Sequence, residues 1–409
     1  MALFAFELGR VKELCLAELS SVLGNKNLTE VIGNFAIFNT DLPLQTDPQK
    51  LQNRLGGTIK ITQIIKTIKI AKSTSLKKEI QECIKTILID HTNKFSGKIP
   101  FAISAINIQD NTENFLKFFL NFSKRIIKSI GKNSRFVNKP WINPTSAQIY
   151  KSRAVEKGID ITIIEDEKTE TIYIAKTISI QDIDLYSIRD FEKPFRDAHM
   201  GMLPPKLAQI MINLADPENT AKTIYDPFCG SGTILIEAMI MGKNAIGSDI
   251  DEKAVNGTSK NLEWTMGKLK NKSVKFKIFK KNAVEITKKD ILPESVDAIV
   301  SETYLGEPVS RLPSEKIVEK VLSDISNLHE LWLKKATQLL SKNARIAICL
   351  PAYRKGFNKY IRIKDFSKKV EKYGLKQIKF GNASSLIYDR EDQVVAREIV
   401  ILQNSIENE

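Results

Sequence analysis

Residues suited to cofactor chemistry lie in one short stretch, 225–233, which reads Tyr-Asp-Pro-Phe-Cys-Gly-Ser-Gly-Thr. An apolar segment precedes it and a one-sided apolar pattern follows it, which predicts a turn between a strand and a helix. Gly230 and Gly232 have no Cβ, so the backbone can bend sharply there and a ligand can approach closely. The free N–H groups at the start of the helix would then face a polar or anionic ligand group.

A second acidic residue, Asp249, ends the next predicted strand about twenty residues after this turn, where a carboxylate can accept hydrogen bonds from both ribose hydroxyls of a nucleotide. The turn has neither the dinucleotide pattern GxGxxG nor the lysine of a P-loop. Asp226 would repel a pyrophosphate but suits a cationic amino group. Adenosine joined to an amino acid describes S-adenosylmethionine, which is the predicted cofactor. An ordinary glycine-rich loop is the alternative.

The end of the third predicted strand adds Asn282, which can reach the adenine edge. Asparagine is also common in turns, so a purely structural turn residue remains the alternative there. The residues predicted to bind the cofactor are Asp226, Pro227, Phe228, Gly230, Ser231, Gly232, Thr233, Asp249, Ile250, Asn282 and Ala283.

The methyl acceptor is predicted to bind after the fourth strand, where residues 302–306 read Glu-Thr-Tyr-Leu-Gly. Methylation of an exocyclic amine needs acceptors that orient its N–H groups, and Glu302 would supply one while Tyr304 stacks on the base. The alternative is that Glu302 is a helix-start carboxylate and Tyr304 packs against the preceding linker. Carbon methylation through a Cys349 nucleophile is the chemical rival, although a small buried residue is the favoured interpretation of this cysteine.

Elements that alternate at α/β spacing would position these residues. Seven predicted strands, the last two adjacent and hairpin-linked, favour a doubly wound sheet with an antiparallel C-terminal edge. The strands are predicted at 222–226, 244–249, 274–279, 296–301, 344–350, 376–380 and 396–403. The predicted domains are two α+β units at 1–75 and 76–178, a charged linker at 179–203 and a Rossmann-like catalytic domain at 204–409.

The composition favours a globular protein that binds nucleic acid. The chain has 409 residues, of which 42% are hydrophobic, and its net charge of +14 favours a polyanionic partner over a mere lysine-rich bias. Basic residues are interleaved with aromatic residues over 114–153, as expected of an RNA-binding surface. The alternative is that the aromatic residues pack in the core and the charges form an ordinary solvated face. No segment is apolar enough to span a membrane, and four scattered cysteines predict a reducing cytoplasm and no zinc site.

With these residues in view, the chain resembles the THUMP-domain tRNA guanine-N2 methyltransferases over nearly its whole length. Residues 226–233 resemble the cofactor motif of that family without visible departure, and residues 204–208 and 397–399 resemble its catalytic-domain entry helix and its final strands. The resemblance implies a class I methyltransferase domain, a ferredoxin-like N-terminal unit and a THUMP RNA-binding domain at 76–178. It also implies tRNA as partner and allows a small activating subunit.

The acceptor stretch departs from the family pattern, which is Asp-Pro-Pro-Tyr-Gly. Here both prolines are absent, the aromatic residue is displaced by one position, and Glu302 replaces the shorter aspartate. The favoured hypothesis is an S-adenosylmethionine-dependent tRNA methyltransferase that modifies an exocyclic guanine nitrogen. Two alternatives remain: an RNA-binding protein that retains the cofactor pocket without transfer, and a DNA amine methyltransferase.

Overall fold

The computed structural model describes residues 2–40, 47–73, 75–109, 111–196, 202–268, 273–381, 385–390 and 392–406. The chain divides into two compact units. The first comprises Met1–Lys12, Leu23–Asn53 and Thr58–Leu185, and the second comprises Glu13–Val22, Arg54–Gly57 and Tyr186–Glu409. The end of the predicted linker, 197–201, lies outside the described residues. No helix in the described ranges is long and apolar enough to cross a bilayer.

The first unit is built on one eight-stranded sheet with the order β2-β3-β1-β4-β8-β7-β5-β6. Its strands are β1 (Ala2–Leu8), β2 (Leu28–Ile32), β3 (Phe35–Thr40), β4 (Thr58–Lys69), β5 (Lys98–Ile106), β6 (Asn133–Phe136), β7 (Ile159–Asp166) and β8 (Thr171–Ile180). The helices of this half of the chain are α1 (Lys12–Leu23), α2 (Pro48–Arg54), α3 (Leu76–Thr92), α4 (Thr112–Ser129), α5 (Ser146–Ser152) and α6 (Ala154–Lys157).

The predicted boundary near residue 75 falls inside this sheet. β4 pairs with β8 in antiparallel register from Lys60↔Ile180 to Lys69↔Thr171. Both strands are long and β-branched, and pairing them satisfies backbone groups that would otherwise form two open edges. The segments predicted as separate α+β units therefore share one sheet.

Helix α4 has one buried face and one charged face. Leu116, Phe119 and Leu120 pack into the core of the first unit, where they meet residues of α3 and β5. The opposite face is exposed and carries four cations, which are Lys117, Lys124, Arg125 and Lys128. Four of the basic residues in the segment predicted to contact RNA, 114–153, thus lie together on one helix surface.

The second unit contains a sheet with the order β11-β10-β9-β12-β13-β17-β15. Its strands are β9 (Thr223–Asp226), β10 (Asn244–Asp249), β11 (Phe276–Lys280), β12 (Ala298–Glu302), β13 (Arg345–Gly356), β14 (Lys359–Arg362), β15 (Leu375–Ile378), β16 (Leu386–Tyr388) and β17 (Val395–Asn404). The helices of this half are α7 (Ile183–Phe191), α8 (Pro205–Ala215), α9 (Thr233–Ile240), α10 (Glu252–Lys268), α11 (Lys288–Ile291), α12 (Glu315–Ala336) and α13 (Phe366–Glu371).

The fold class is confirmed as α/β and doubly wound. β9 to β13 pair in parallel, and β17 runs antiparallel to β13 and β15. Successive side chains of β10 point to opposite faces, because Ala245 packs with α9 and α10 whereas Ile246 packs in the cluster that contains α12. Helices therefore cover both faces of the sheet.

The prediction of seven strands was incomplete, since the described part of this sheet has nine. β14 pairs with the extended end of β13, and β16 pairs with β17, so the last two predicted strands are neighbours but are not joined by a simple hairpin. Both additional strands are short, with four residues in β14 and three in β16, which hides them from a periodicity analysis. The predicted linker also contains a helix, α7.

Two N-terminal segments belong to the second unit. The buried carboxylate of Glu18 accepts hydrogen bonds from the backbone N–H groups of Gly56 and Gly57, at 2.9 and 2.8 Å. It also accepts one from Asn213 Nδ2 of α8, at 2.7 Å. Burial raises the pKa of Glu18 to about 7, and these hydrogen bonds oppose that rise. The contacts attach residues 13–22 and 54–57 to helix α8.

Candidate active site

A cavity of about 570 Å³ lies at the carboxyl ends of β9, β10 and β12. In doubly wound sheets ligands bind where the strand order changes direction, which here is between β9 and β12. All of the predicted site residues except Gly232 line this cavity: Asp226, Pro227, Phe228, Gly230, Ser231, Thr233, Asp249, Ile250, Asn282, Ala283, Glu302 and Tyr304. The cavity is also lined by Arg397, Leu203 and Leu328, none of which was predicted to belong to the site.

Gly232 does not line the cavity, but it shapes the turn whose other residues do. It precedes α9 with φ of 76°, and a Cβ on it would lie 2.8 Å from Thr258 Cγ2. Thr258 Oγ1 also donates a hydrogen bond to the carbonyl of Gly230, at 2.7 Å. A side chain at Gly232 would therefore be strained and would displace α10 from the turn.

Asp226 is buried at the end of β9. Its Oδ1 accepts hydrogen bonds from Ser301 Oγ at 2.6 Å and from the N–H of Phe228 at 3.1 Å. No side chain or backbone group among the described residues donates a hydrogen bond to Oδ2, so this oxygen is available to a ligand. Burial raises the pKa of Asp226 to about 7, and the neighbouring carboxylates of Asp249 and Glu302 add to the rise.

Asp249 joins the glycine turn to the end of β10. Its Oδ2 accepts a hydrogen bond from the N–H of Gly230 at 2.9 Å, and its Oδ1 accepts one from the N–H of Asp251 at 3.0 Å. A carboxylate oxygen can accept two hydrogen bonds, so each retains one position for a ribose hydroxyl. Next to it, 66% of the Ile250 side chain is exposed, which offers an apolar surface at the cavity.

Asn282 fits both interpretations that the sequence allowed. Its Oδ1 accepts a hydrogen bond from the N–H of Val284 at 3.3 Å, which caps the short helical turn Ala283–Glu285. The same residue lines the cavity beyond β11. Its side chain is thus fixed by the turn while it faces the ligand space.

Glu302 ends β12 and forms an ion pair that the sequence analysis missed. Arg397 Nε of β17 donates to Glu302 Oε1 at 2.5 Å, and the Arg397 side chain is 6% exposed. Burial raises the pKa of Glu302, and Arg397 opposes that rise. Because Glu302 is the last residue of a strand, it is not the helix-start carboxylate of the alternative interpretation. Tyr304 is 44% exposed at the cavity, and its hydroxyl donates to Glu307 Oε1 at 3.1 Å.

A buried hydrogen-bond chain holds the backbone between Glu302 and Tyr304. Thr303 Oγ1 donates to the carbonyl of Cys349 at 2.5 Å and lies 3.1 Å from His329 Nε2. Because Thr303 has only one proton to donate, His329 Nε2 carries a proton and donates to Thr303. Trp332 Nε1 then donates to His329 Nδ1 at 3.1 Å.

This chain also reaches the cofactor turn. The ring of Trp332 makes an edge contact with Phe228, with centroids 5.6 Å apart. Burial lowers the pKa of His329 to about 3, so the ring is neutral near pH 7. A continuous set of contacts therefore links the acceptor stretch to residue 228 of the cofactor stretch.

The linker residues before α8 also hold the glycine turn. Lys193 Nζ donates to Thr233 Oγ1 at 3.0 Å. Asn261 accepts a hydrogen bond from the N–H of Phe195 at 2.8 Å and donates one to the carbonyl of Ser231, also at 2.8 Å. Sequence spacing gave no signal for these contacts, because the partners lie 30 to 66 residues apart.

The alternative of carbon methylation through a cysteine nucleophile is disfavoured, because the cysteine has no access to the cavity. Cys349 is fully buried and does not line it, and its Sγ lies 3.5 Å from Met211 Sδ. Burial raises the pKa of this thiol well above its usual value, which disfavours a thiolate nucleophile. Within the described ranges, no group of three or more His, Cys, Asp or Glu residues is placed to hold a metal ion.

Two family models match the chain. One, described as the RMKL-like methyltransferase domain UPF0020, matches residues 194–382, which include the whole cofactor turn and the acceptor stretch. The other, described as the DNA methylase N6_N4_Mtase, matches residues 53–260 and ends before Glu302. Both describe methyltransferases.

Curated relatives match parts of the chain. The tRNA (guanine(10)-N2)-dimethyltransferase of Methanothermobacter thermautotrophicus is 37% identical over 145 residues, which are 35% of this chain and 39% of that protein. The chain covers 52% of the corresponding protein of Methanocaldococcus jannaschii, at 32% identity over 48% of this chain. A protein of Methanothermococcus thermolithotrophicus named "Probable tRNA (guanine(10)-N2)-dimethyltransferase" is 31% identical over 34% of this chain and 80% of its own length.

The crystal structure of TrmN from Thermus thermophilus has a similar fold, with a TM-score of 0.51 over 98% of this chain and 99% of that one, at 14% identity. Fold, strand order and cavity position define a class I S-adenosylmethionine-dependent methyltransferase, and that compound is the cofactor. The chain belongs to the family of the tRNA (guanine(10)-N2)-dimethyltransferases, given the 80% coverage of the Methanothermococcus relative. The residues present fit the cofactor, because Asp226 lines the cavity and uses Oδ1 for Ser301, which leaves Oδ2 as an acceptor for an amino group.

Proposed function

We propose that this protein transfers a methyl group from S-adenosylmethionine to the exocyclic N2 of a guanosine in tRNA. The observation that carries the proposal is the position of Glu302, whose carboxylate ends β12 and lines the same cavity as the cofactor turn. The tRNA and its guanine come from the names of the curated relatives.

The cofactor contacts would come from three strand ends. Asp226 Oδ2 would accept hydrogen bonds from the amino group, Asp249 from the ribose hydroxyls, and Ile250 and Asn282 would border the adenine. The sulfonium supplies a reactive methyl group when the cofactor is bound. The remaining task of the protein is to hold the acceptor nitrogen in line with that group.

Glu302 would perform the orienting step. Arg397 occupies Oε1, so Oε2 remains for an N–H of the guanine amine. The ion pair fixes the direction of the carboxylate, since a buried guanidinium restricts its rotation. The exposed ring of Tyr304 lies at the same cavity and would stack on the base.

The first unit would bind the tRNA backbone, as expected of the THUMP domain in the family resemblance. The exposed face of α4 groups Lys117, Lys124 and Lys128 in a row, and such cations contact phosphates without reading sequence. Lys117 also lies 5.7 Å from the ring of Trp141, and Lys124 lies 5.2 Å from that of Phe136. Aromatic rings beside cations suit RNA, where ribose and bases are accessible.

Methyl transfer from labelled S-adenosylmethionine to unmodified total tRNA, with mass spectrometry of the nucleosides, tests the proposal. We expect an N2-methylguanosine peak that disappears in the Glu302→Ala variant. A methylated adenosine or cytidine, or transfer only to duplex DNA, would contradict it and favour the activity described by the DNA methylase model.

A second candidate is an RNA-binding protein without transfer. The absence of both family prolines at residues 303 and 304, together with the Arg397 contact to Glu302, favours it. It predicts measurable cofactor and tRNA binding without product, and a gain of activity when residues 302–305 are changed to Asp-Pro-Pro-Tyr. Product that forms only after addition of a small activating subunit would instead restore the first proposal.

A further inference from the structure

β13 extends well past the catalytic edge of the sheet. Its parallel pairing with β12 ends at Glu302↔Cys349, but the strand continues to Gly356. At about 3.3 Å per residue, the additional seven residues extend roughly 20 Å beyond that edge. β14 then returns alongside it, so the two strands form a hairpin on the side of the sheet where the cavity lies.

Ion pairs and hydrogen bonds attach this hairpin to Asp389, which follows β16, and to Glu398 of β17. Arg354 Nη2 and the Tyr360 hydroxyl both donate to Asp389 Oδ2, at 2.9 and 2.7 Å. At the base, Arg362 Nη1 donates to Glu398 Oε1 at 2.8 Å. A preorganised hairpin loses little conformational entropy when a partner binds.

The tip of the hairpin exposes an aromatic ring between cations. Gly356 pairs with Lys359, which leaves Phe357 and Asn358 as a two-residue turn, and Asn358 has φ of 53°. The Phe357 side chain is 92% exposed, the largest exposure of any large hydrophobic residue in the described part of the chain. Lys355 and Lys359 flank it, and both are exposed. Lys355 Nζ lies 3.3 Å from Glu315 Oε2, whereas Lys359 has no acid partner among the described residues. A ring this exposed adds almost nothing to folding, because it buries almost no apolar area.

The base of the hairpin contacts the acceptor stretch. The Tyr353 hydroxyl lies 3.3 Å from the position that a Cβ on Gly306 would occupy, and Gly306 lines the cavity. Phe357 follows Tyr353 by four residues, or about 13 Å along an extended strand. The ring is therefore held within reach of nucleotides beside a base bound at Glu302.

We propose that Phe357 stacks on a base of the tRNA close to the target guanosine, while Lys359 contacts a nearby phosphate. This inference rests on the proposed function and assigns part of the RNA contact to the catalytic unit itself. Unstacked bases of RNA loops and ends stack on aromatic side chains, and flanking cations neutralise the backbone. The net charge of +14 and the exposed Lys359 at the tip favour a polyanion over a protein partner.

Substitution of the ring tests the inference in the full-length protein. Stacking contributes about 1–3 kcal/mol per base, so Phe357→Ala should weaken tRNA binding about 5- to 150-fold in a gel shift. Phe357→Tyr retains the ring and should bind tRNA like the wild type. Lys359→Ala should reduce the slope of log Kd against log salt by about one. Cofactor affinity, measured by calorimetry, should be unchanged in all three variants.

Leu292→Ala is the matched control, because Leu292 is also an exposed hydrophobic residue, at 59%. Its carbonyl accepts a hydrogen bond from Lys277 near the start of β11, which is the end of that strand away from the cavity. It should bind tRNA normally. If Phe357→Ala binds and methylates tRNA like the wild type, the inference is wrong while the proposed function stands. If wild-type protein fails to bind tRNA, both fall. A Phe357→Ala variant that changes only the sedimentation mass would assign the tip to a protein contact and would also overturn the inference.

Discussion

At the residue scale, the burial of Asp226 connects cofactor binding to pH. Its pKa is raised to about 7, so the carboxyl is largely protonated at pH 6 and largely ionised at pH 8. A cationic amino group needs the ionised form, so binding releases a proton below pH 7. We expect cofactor affinity measured by calorimetry to fall roughly tenfold from pH 8 to pH 6.

The Asp226→Asn variant controls for other titrating groups. It should bind the cofactor weakly at every pH and lose the pH dependence. The folded pKa of Asp226 lies above its unfolded value, so its stabilising contribution is complete at low pH and is lost as pH rises through 7. The variant should therefore be more stable than the wild type at pH 8 in thermal unfolding. An unchanged pH profile of affinity would show that Asp226 does not contact the amino group.

The pair of Glu302 and Arg397 gives a second prediction at this scale. Arg397 opposes the rise in the pKa of Glu302 that burial causes, so Arg397→Met should raise that pKa further. The rising limb of the pH profile of kcat should shift to higher pH, and kcat at pH 7 should fall, whereas Arg397→Lys should retain part of the wild-type profile. Equal kcat profiles for the Met variant and the wild type would remove Arg397 from the acceptor site.

Single residues also show where sequence analysis succeeds. The position of residues 226–233 and Asp249 at one cavity was predictable, because local turn and strand-end geometry places Asp226, Gly230 and Asp249, and spacing encodes that geometry. Arg397 was not, because its partner Glu302 is 95 residues away and only the pairing of β13 with β12 and β17 brings them together. Long-range ion pairs leave no periodic signal in one sequence.

At the scale of elements, the backbone that follows β12 lacks the two prolines of the family pattern and is held by other contacts. A proline presets the backbone through its ring. Here Thr303 does so through hydrogen bonds to the Cys349 carbonyl and to His329, which Trp332 orients in turn. The doubly wound sheet was predictable from the alternation of strands and helices. The position of His329 on the buried face of α12 was not, because a lone histidine in an amphipathic helix does not reveal its partner.

Thr303→Val tests this interpretation, since it keeps the side-chain shape but leaves the His329 donor and the Cys349 carbonyl unsatisfied. We expect the free energy of unfolding to fall by about 1–3 kcal/mol. We also expect kcat to fall between about tenfold and a hundredfold from misplacement of Glu302 and Tyr304. Thr303→Ser keeps the hydroxyl and should restore kcat. A Val variant with lower stability but normal kcat, assayed where it is fully folded, would limit the chain to a structural role.

At the scale of the whole molecule, the excess of cations is concentrated on particular surfaces and is not spread evenly over the chain. The net charge is +14, yet many lysines of the second unit lie beside acids, such as Lys364 with Glu319 and Lys372 with Glu330. The exposed cations of α4 have no such acid partners among the described residues, and they share one face. A group of cations that no acid neutralises can bind RNA phosphates and release their counterions.

Replacing the α4 lysines therefore tests whether the first unit binds tRNA. Each phosphate contact adds close to one to the slope of log Kd against log salt, so the triple variant Lys117→Ala, Lys124→Ala, Lys128→Ala should reduce that slope by about three. Cofactor affinity should not change, because the cavity belongs to the second unit. A matched triple variant of exposed lysines near the amino ends of β9, β11 and β15, at Lys222, Lys275 and Lys376, lowers the net charge equally. If both triples weaken tRNA binding to the same extent, the effect is one of overall charge, and the α4 face is not the binding surface.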